Sequence, residues 1–201
     1  MLEAHRNPVV RELEQLFLAS SLFAKPISAA AARTTALLLF KERVLSPAAI
    51  ERSGWEGLVT ILDLGGYVRY DFSTATKLLT IAAALRGDRL RRVVGGAASA
   101  KDVEEELTKI KGVGPKTVAI FLRELRGLGG PPVPVSEEAR SAAKRLRLKR
   151  RQLDVEGRGL SRLESVLVRT WVEHGKRGRW QTCPAGAMCG CVAPAHRSGV
   201  R

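Results

Sequence analysis

Aromatic side chains are scarce in this chain, at 5% of 201 residues, and methionine occurs only twice. Sheet sandwiches and barrels draw on aromatic residues, so the aromatic shortage argues against those architectures. Ala and Leu dominate instead, and such residues lose little rotamer freedom in a helix. Cysteine is confined to Cys183, Cys189 and Cys191, an odd set in one cluster. That is not the framework of a secreted, disulfide-stapled domain. No uncharged apolar run reaches membrane-spanning length, and Met1-Leu2-Glu3-Ala4-His5-Arg6 lacks a signal-peptide apolar stretch. The expectation is a cytoplasmic protein with no membrane partner.

Acidic residues are also in short supply, 20 against 34 Lys and Arg, for a formal net charge of +14. An excess of this size calls for a polyanionic partner, and nucleic acid fits better than a membrane surface. Hydrophobic residues at 45% are enough for a buried core.

The periodicity is helical throughout and shows no convincing alternating strand. It predicts helices over about Pro8–Ser20, Ser28–Arg43, Ser46 onward with Pro47 at the first helical position, and Trp55–Leu64. Further helices are predicted from Asp71 or Ser73 to Leu85, from Ser99 to Ile110 and from Pro115 to Arg126. Ser99 with Asp102 reads as a capping box. The breaker Gly127-Leu128-Gly129-Gly130-Pro131-Pro132 then separates two lobes, 1–128 and 129–201. In the second lobe Ser136 caps a helix to about Leu148, and Ser161 caps another to about His174. The fold class is all-α with two helical lobes.

The most specific segment is Leu107-Thr108-Lys109-Ile110-Lys111-Gly112-Val113-Gly114-Pro115-Lys116-Thr117-Val118. Two amphipathic helices meet at Gly112-Val113-Gly114, and the hairpin as a whole spans about 103–126. The glycines let a phosphate approach the main chain. The free N–H groups of the helix that starts at Pro115 point at whatever binds there. Val113 is expected to tuck inward, with Lys109, Lys111, Arg123 and Arg126 adding charge. An ordinary helix–helix turn is the bland alternative.

In this segment the chain resembles the helix-hairpin-helix DNA glycosylase superfamily, in divergent, endonuclease III-like form. The family motif is Leu-Pro-Gly-Val-Gly-x-Lys-Thr/Val-Ala, and its lysine, the catalytic nucleophile, falls on Lys116. Pro134-Val135-Ser136 is similar to the family's Pro/Ala-Val-Asp, and Leu64-Gly65-Gly66-Tyr67 to its Ile-Gly-Leu/Phe-Tyr segment. Trp171 and His174-Gly175 before Cys183 match its C-terminal pattern. The resemblance implies a two-lobed fold with a DNA cleft between the lobes. It also implies a monomer acting on damaged double-stranded DNA by base excision and abasic-site cleavage, in a nucleoid-associated location. The hairpin residues Lys111, Gly112, Val113, Gly114 and Thr117 would hold DNA, with a monovalent cation plausible there. Leu22 or Phe23 would wedge into the base stack, and Tyr67 or Tyr70 would stack on a flipped base; for each of these four, core packing is the alternative.

Two departures qualify the resemblance. Ser136 stands where the family keeps an aspartate. It can cap a helix but supplies no carboxylate, which leaves Glu137, Glu138 or Asp71 to substitute. Lyase action at abasic sites would survive that loss better than base excision. The metal pattern also differs, with Cys183-x5-Cys189-x-Cys191 lacking a fourth cysteine. His196 could complete a degenerate four-iron four-sulfur site or a zinc site, or the loop is metal-free. The run Arg140, Lys144, Arg145, Arg147, Lys149, Arg150 and Arg151 reads as a stripe that tracks a phosphate backbone. The rival readings are a non-catalytic DNA-binding or damage-recognition protein, and a basic structural or RNA-binding module.

Overall fold

The structure is a computed structural model, and it describes residues 8–126, 128, 130–149, 152, 155–176 and 178–185. Nine α-helices, a π-helical turn and a short 3-10 helix (Trp180–Thr182) make up the regular structure of the described residues, and no strand occurs among them. The α-helices are α1 (Pro8–Phe23), α2 (Ala29–Lys41), α3 (Pro47–Leu64), α4 (Asp71–Ala84), α5 (Arg89–Gly96), α6 (Ala100–Thr108), α7 (Pro115–Leu125), α8 (Glu137–Arg145) and α9 (Gly157–Thr170). None of these is long and apolar enough to cross a membrane. The chain divides into two compact units, Met1–Leu125 with Gly130–Pro132, and Arg126–Gly129 with Val133–Arg201.

Helix starts in the first unit follow local chemistry. Ser28 and Ser46 lie in extended backbone, and their hydroxyls accept the amides of Ala31 at 3.1 Å and Ala49 at 3.2 Å. Each satisfies one of the donors that a helix N-terminus leaves free. Ser99 and Asp102 form the expected capping box, each side chain accepting the other's amide. Gly54 interrupts α3 with φ +67°, so Ser46–Ser53 and Trp55–Leu64 are the two predicted helices joined end to end across a kink. Helix α5 was not expected from the sequence. Its RLRRVVGG is too short and too rich in arginine and glycine to show an apolar period, and it begins after a left-handed Asp88.

Phe17 of α1 and Phe121 of α7 are fully buried and meet edge-to-face, with ring centroids 5.1 Å apart. Leu18, Leu58, Leu62, Leu78, Ile81 and Val118 of the same unit are also fully buried. Helices α2 and α3 approach so closely that a Cβ on Gly65 would fall 1.9 Å from Thr35 Oγ1 and 2.8 Å from Thr35 Cα. The hydroxyls of Thr35 and Thr74 are buried in this unit with no hydrogen-bond partner.

In the second unit α8 and α9 pack through Ala139, Ala142, Ala143, Leu146 and Leu167, with Cys183 in the same cluster. The sequence reading placed a helix start at Ser161, but α9 begins four residues earlier and Ser161 is buried within it. A π-helical turn, Trp171–Gly175, extends α9. The Trp171 indole lies where a Cβ on Gly175 would fall, 2.5 Å from Cε3, so only glycine fits behind the ring. His174 Nδ1 lies 3.3 Å from both the Arg179 carbonyl and Thr182 Oγ1, which ties the turn to the segment that follows.

Candidate functional site

The hairpin of the first unit runs from α6 through Lys109–Gly114 into α7. Leu107, Ile110 and Val113 turn into the core, and the Val113 amide donates to the Ile110 carbonyl at 2.9 Å. Gly112 takes φ +89°, a conformation that L side chains resist. With Val113 anchored, the backbone on either side of it faces outward. A Cβ on Gly114 would meet nothing within 4 Å. Among the described residues the amides of Gly112, Gly114 and Lys116 donate to no protein acceptor. Three open donors at a helix N-terminus form a concavity with the charge and geometry to take an anion.

Around this loop, Lys111 and Lys116 are exposed. The other expected charges are spent. Lys109 pairs with Glu106 and Arg123 with Glu124. Arg126 belongs to the second unit, where its side chain is 7% exposed, pairs with Glu164 and donates to the Val133 and Pro134 carbonyls. Thr117 is corrected as a ligand contact. It is 1% exposed, and its amide is taken by the Gly114 carbonyl at 2.9 Å.

Burial corrects Leu22 as a wedge and, for Tyr67, decides for core packing. Leu22 is 0% exposed and belongs to the core, so it cannot enter a base stack; Phe23 beside it is 37% exposed. Tyr67 is also fully buried, which pushes its phenol up, and its hydroxyl donates to the Leu22 carbonyl at 2.8 Å. It therefore pins the α1 terminus and offers no stacking face. Tyr70 is half-buried, and the Lys25 ammonium lies 5.6 Å from its ring centroid.

In the second unit, Ser136 occupies the N-cap position of α8 but makes no side-chain cap, and its Oγ is buried without a partner. Its amide donates instead to Glu164 Oε1 at 3.0 Å. Glu164, unremarked in the sequence, is 3% exposed. Burial pushes its carboxyl up, but the hydrogen bonds from Arg126 and Ser136 outweigh that and hold it below the usual carboxylate range. Its only sequence signal was an acid inside an otherwise basic helix. The substitutes proposed for the missing aspartate are engaged locally. Glu137 is exposed and bonded to Arg140 at 2.8 Å, which holds its carboxyl low. Glu138 lies 3.9 Å from Lys176, and Asp71 Oδ1 accepts the Phe72 amide. The basic stripe is thus acid-paired at Arg140, while Lys144, Arg145, Arg147 and Lys149 remain exposed.

Of the proposed metal ligands, Cys183 is buried among alanine and leucine side chains. Cys189, Cys191 and His196 lie outside the described residues, as do Arg150 and Arg151. Among the described residues no group of three His, Cys, Asp or Glu could hold a metal ion.

Compared with known proteins, the chain matches no family model, no curated protein and no solved structure.

Proposed function

We propose that this protein binds damaged duplex DNA through the Gly112-Val113-Gly114 hairpin and acts on it as a base-excision glycosylase with abasic-site lyase activity, within the helix-hairpin-helix glycosylase fold. The observation that carries the reading is the set of open amides at Gly112, Gly114 and Lys116 on a loop whose apolar residue is locked inward. A phosphodiester is the anion that a net charge of +14 would gather. Lys111 and Lys116 are both exposed beside those amides, and Lys116 is the one that stands at the nucleophile position of the family motif.

The chemistry assigned to Lys116 needs its neutral form. The nitrogen lone pair attacks the sugar C1′ as the base departs with a proton, and opening of the ring leaves an imine. Loss of a C2′ proton then expels the 3′ phosphate. At a site already abasic, the same amine condenses with the ring-opened aldehyde and releases water. Ser136 supplies no carboxylate, and Glu137 is tied to Arg140, which favours cleavage at abasic sites over excision of a base.

Borohydride reduction in the presence of abasic-site DNA tests this. The unaltered chain is expected to give a covalent adduct, and Lys116→Ala to lose it while still binding the duplex. With about six phosphates engaged, log affinity should fall with log salt at a slope near −5. Salt-sensitive binding with no adduct from the unaltered chain would instead establish a non-catalytic damage-recognition protein.

A further inference from the structure

Lys77 lies in the middle of α4, where neither the helical pattern nor the hairpin motif marks it. Its stem runs along the hairpin, so that a Cβ on Gly112 would sit 3.1 Å from Lys77 Cγ. Its Nζ donates to the Ser21 carbonyl, near the end of α1, at 3.4 Å. Lys25, in the loop after α1, is close enough to repel it. Burial first, and then Lys25, bring the Lys77 pKa down to about 8. The other charged groups around this corner are Arg69, 5.8 Å from the Tyr70 ring, Asp71, whose Oδ1 is bonded to the Phe72 amide, and Lys111 in the hairpin. Among the described residues no carboxylate forms an ion pair with Lys25 or Lys77.

Two neighbouring ammonium groups, one partly withdrawn from water and neither neutralised, form a costly arrangement that an anion would relieve. The charge deficit sits against the edge of the hairpin whose amides are open. We propose that Lys77 and Lys25, with the Gly112 edge of the hairpin, form a second phosphodiester site of the DNA-binding surface, occupied by a further phosphate of the bound strand. This rests on the DNA-binding reading above. It adds a property that the hairpin alone lacks, because a phosphate at this corner favours the charged form of Lys77. Affinity is then constant where the free amine is already protonated, and falls as pH rises through its free value.

The test is the affinity of the full chain for a duplex carrying a chemically stable abasic-site analogue, measured at fixed salt at pH 7 and pH 9. The unaltered chain is expected to weaken on the order of tenfold across this range. Lys77→Arg keeps its charge and should bind equally at both values. Lys77→Met should bind at pH 7 at least as weakly as the unaltered chain does at pH 9, with its salt slope smaller by about 1. If Lys77→Met melts early, the comparison with Lys77→Arg carries the result alone. An unaltered chain with flat affinity from pH 7 to 9, or a Lys77→Arg variant as pH-sensitive as its parent, overturns the site and leaves the DNA reading standing. Failure of the unaltered chain to bind the duplex overturns both.

Discussion

Gly65 shows how one position can set the spacing of two helices. Its φ is −79°, an ordinary helical value, so it is not glycine for conformational reasons. Helix propensity alone would make Gly65→Ala stabilising by about 0.5–1 kcal/mol. The new methyl group would, however, overlap Thr35 Oγ1 and press on Thr35 Cα, which is backbone and cannot rotate away. Overpacking of this kind costs about 1–3 kcal/mol, so Gly65→Ala should lower the thermal midpoint. Adding Thr35→Ala should restore part of it, since the hydroxyl overlap goes and the Cα overlap stays. A midpoint that rises in the single variant would show that α2 is free to shift. The sequence pattern marked this glycine by its place before Tyr67, but the packing reason is long-range and left no local trace. The same holds for Lys77 and Glu164: the residue types are visible in the sequence, while their partners sit 56 and 38 positions away.

Among elements, the start of α8 depends on a single buried carboxylate. Glu164 of α9 holds the Ser136 amide and the Arg126 guanidinium at once. Removing one partner of such a pair leaves the other buried and uncompensated, at a cost of about 3–5 kcal/mol. Glu164→Gln should therefore destabilise the protein strongly, and a double Arg126→Met, Glu164→Met variant less than the two single changes combined, as chemical denaturation would show. Because the folded-state carboxyl is held low, its stabilising contribution is complete above the unfolded value near about 4.3 and is lost as pH falls through the folded value. A parent whose acid unfolding coincides with that of Glu164→Gln would contradict this. Elements with strong local signals were legible from the sequence: the Ser46 and Ser99 caps, the separate helices that start at Ser46 and Trp55, and the hairpin with its inward Val113. The misplaced start of α9 and the missed α5 had no such signals. Gly157 and Glu156 do not advertise a helix start, and an eight-residue arginine-rich helix has no period to read.

Across the whole molecule, charge and stability are distributed differently. Exposed cations crowd the hairpin corner and the outer face of α8, while the buried residues of both units are apolar apart from a few hydroxyls, the Arg126–Glu164 pair and Glu14. Two of those hydroxyls, on Thr35 and Thr74, were dehydrated on folding and received nothing in exchange. An unmatched buried hydroxyl costs about 1–3 kcal/mol. Thr74→Val keeps the branched shape and should raise the thermal midpoint by a few degrees, in line with about 1 kcal/mol over a domain of this size. A lowered midpoint would mean that the hydroxyl has a water partner. The fold therefore holds unused headroom: methyl groups at these two interior points would offset the loss from one damaging substitution elsewhere and let the basic surface be redesigned without unfolding the chain.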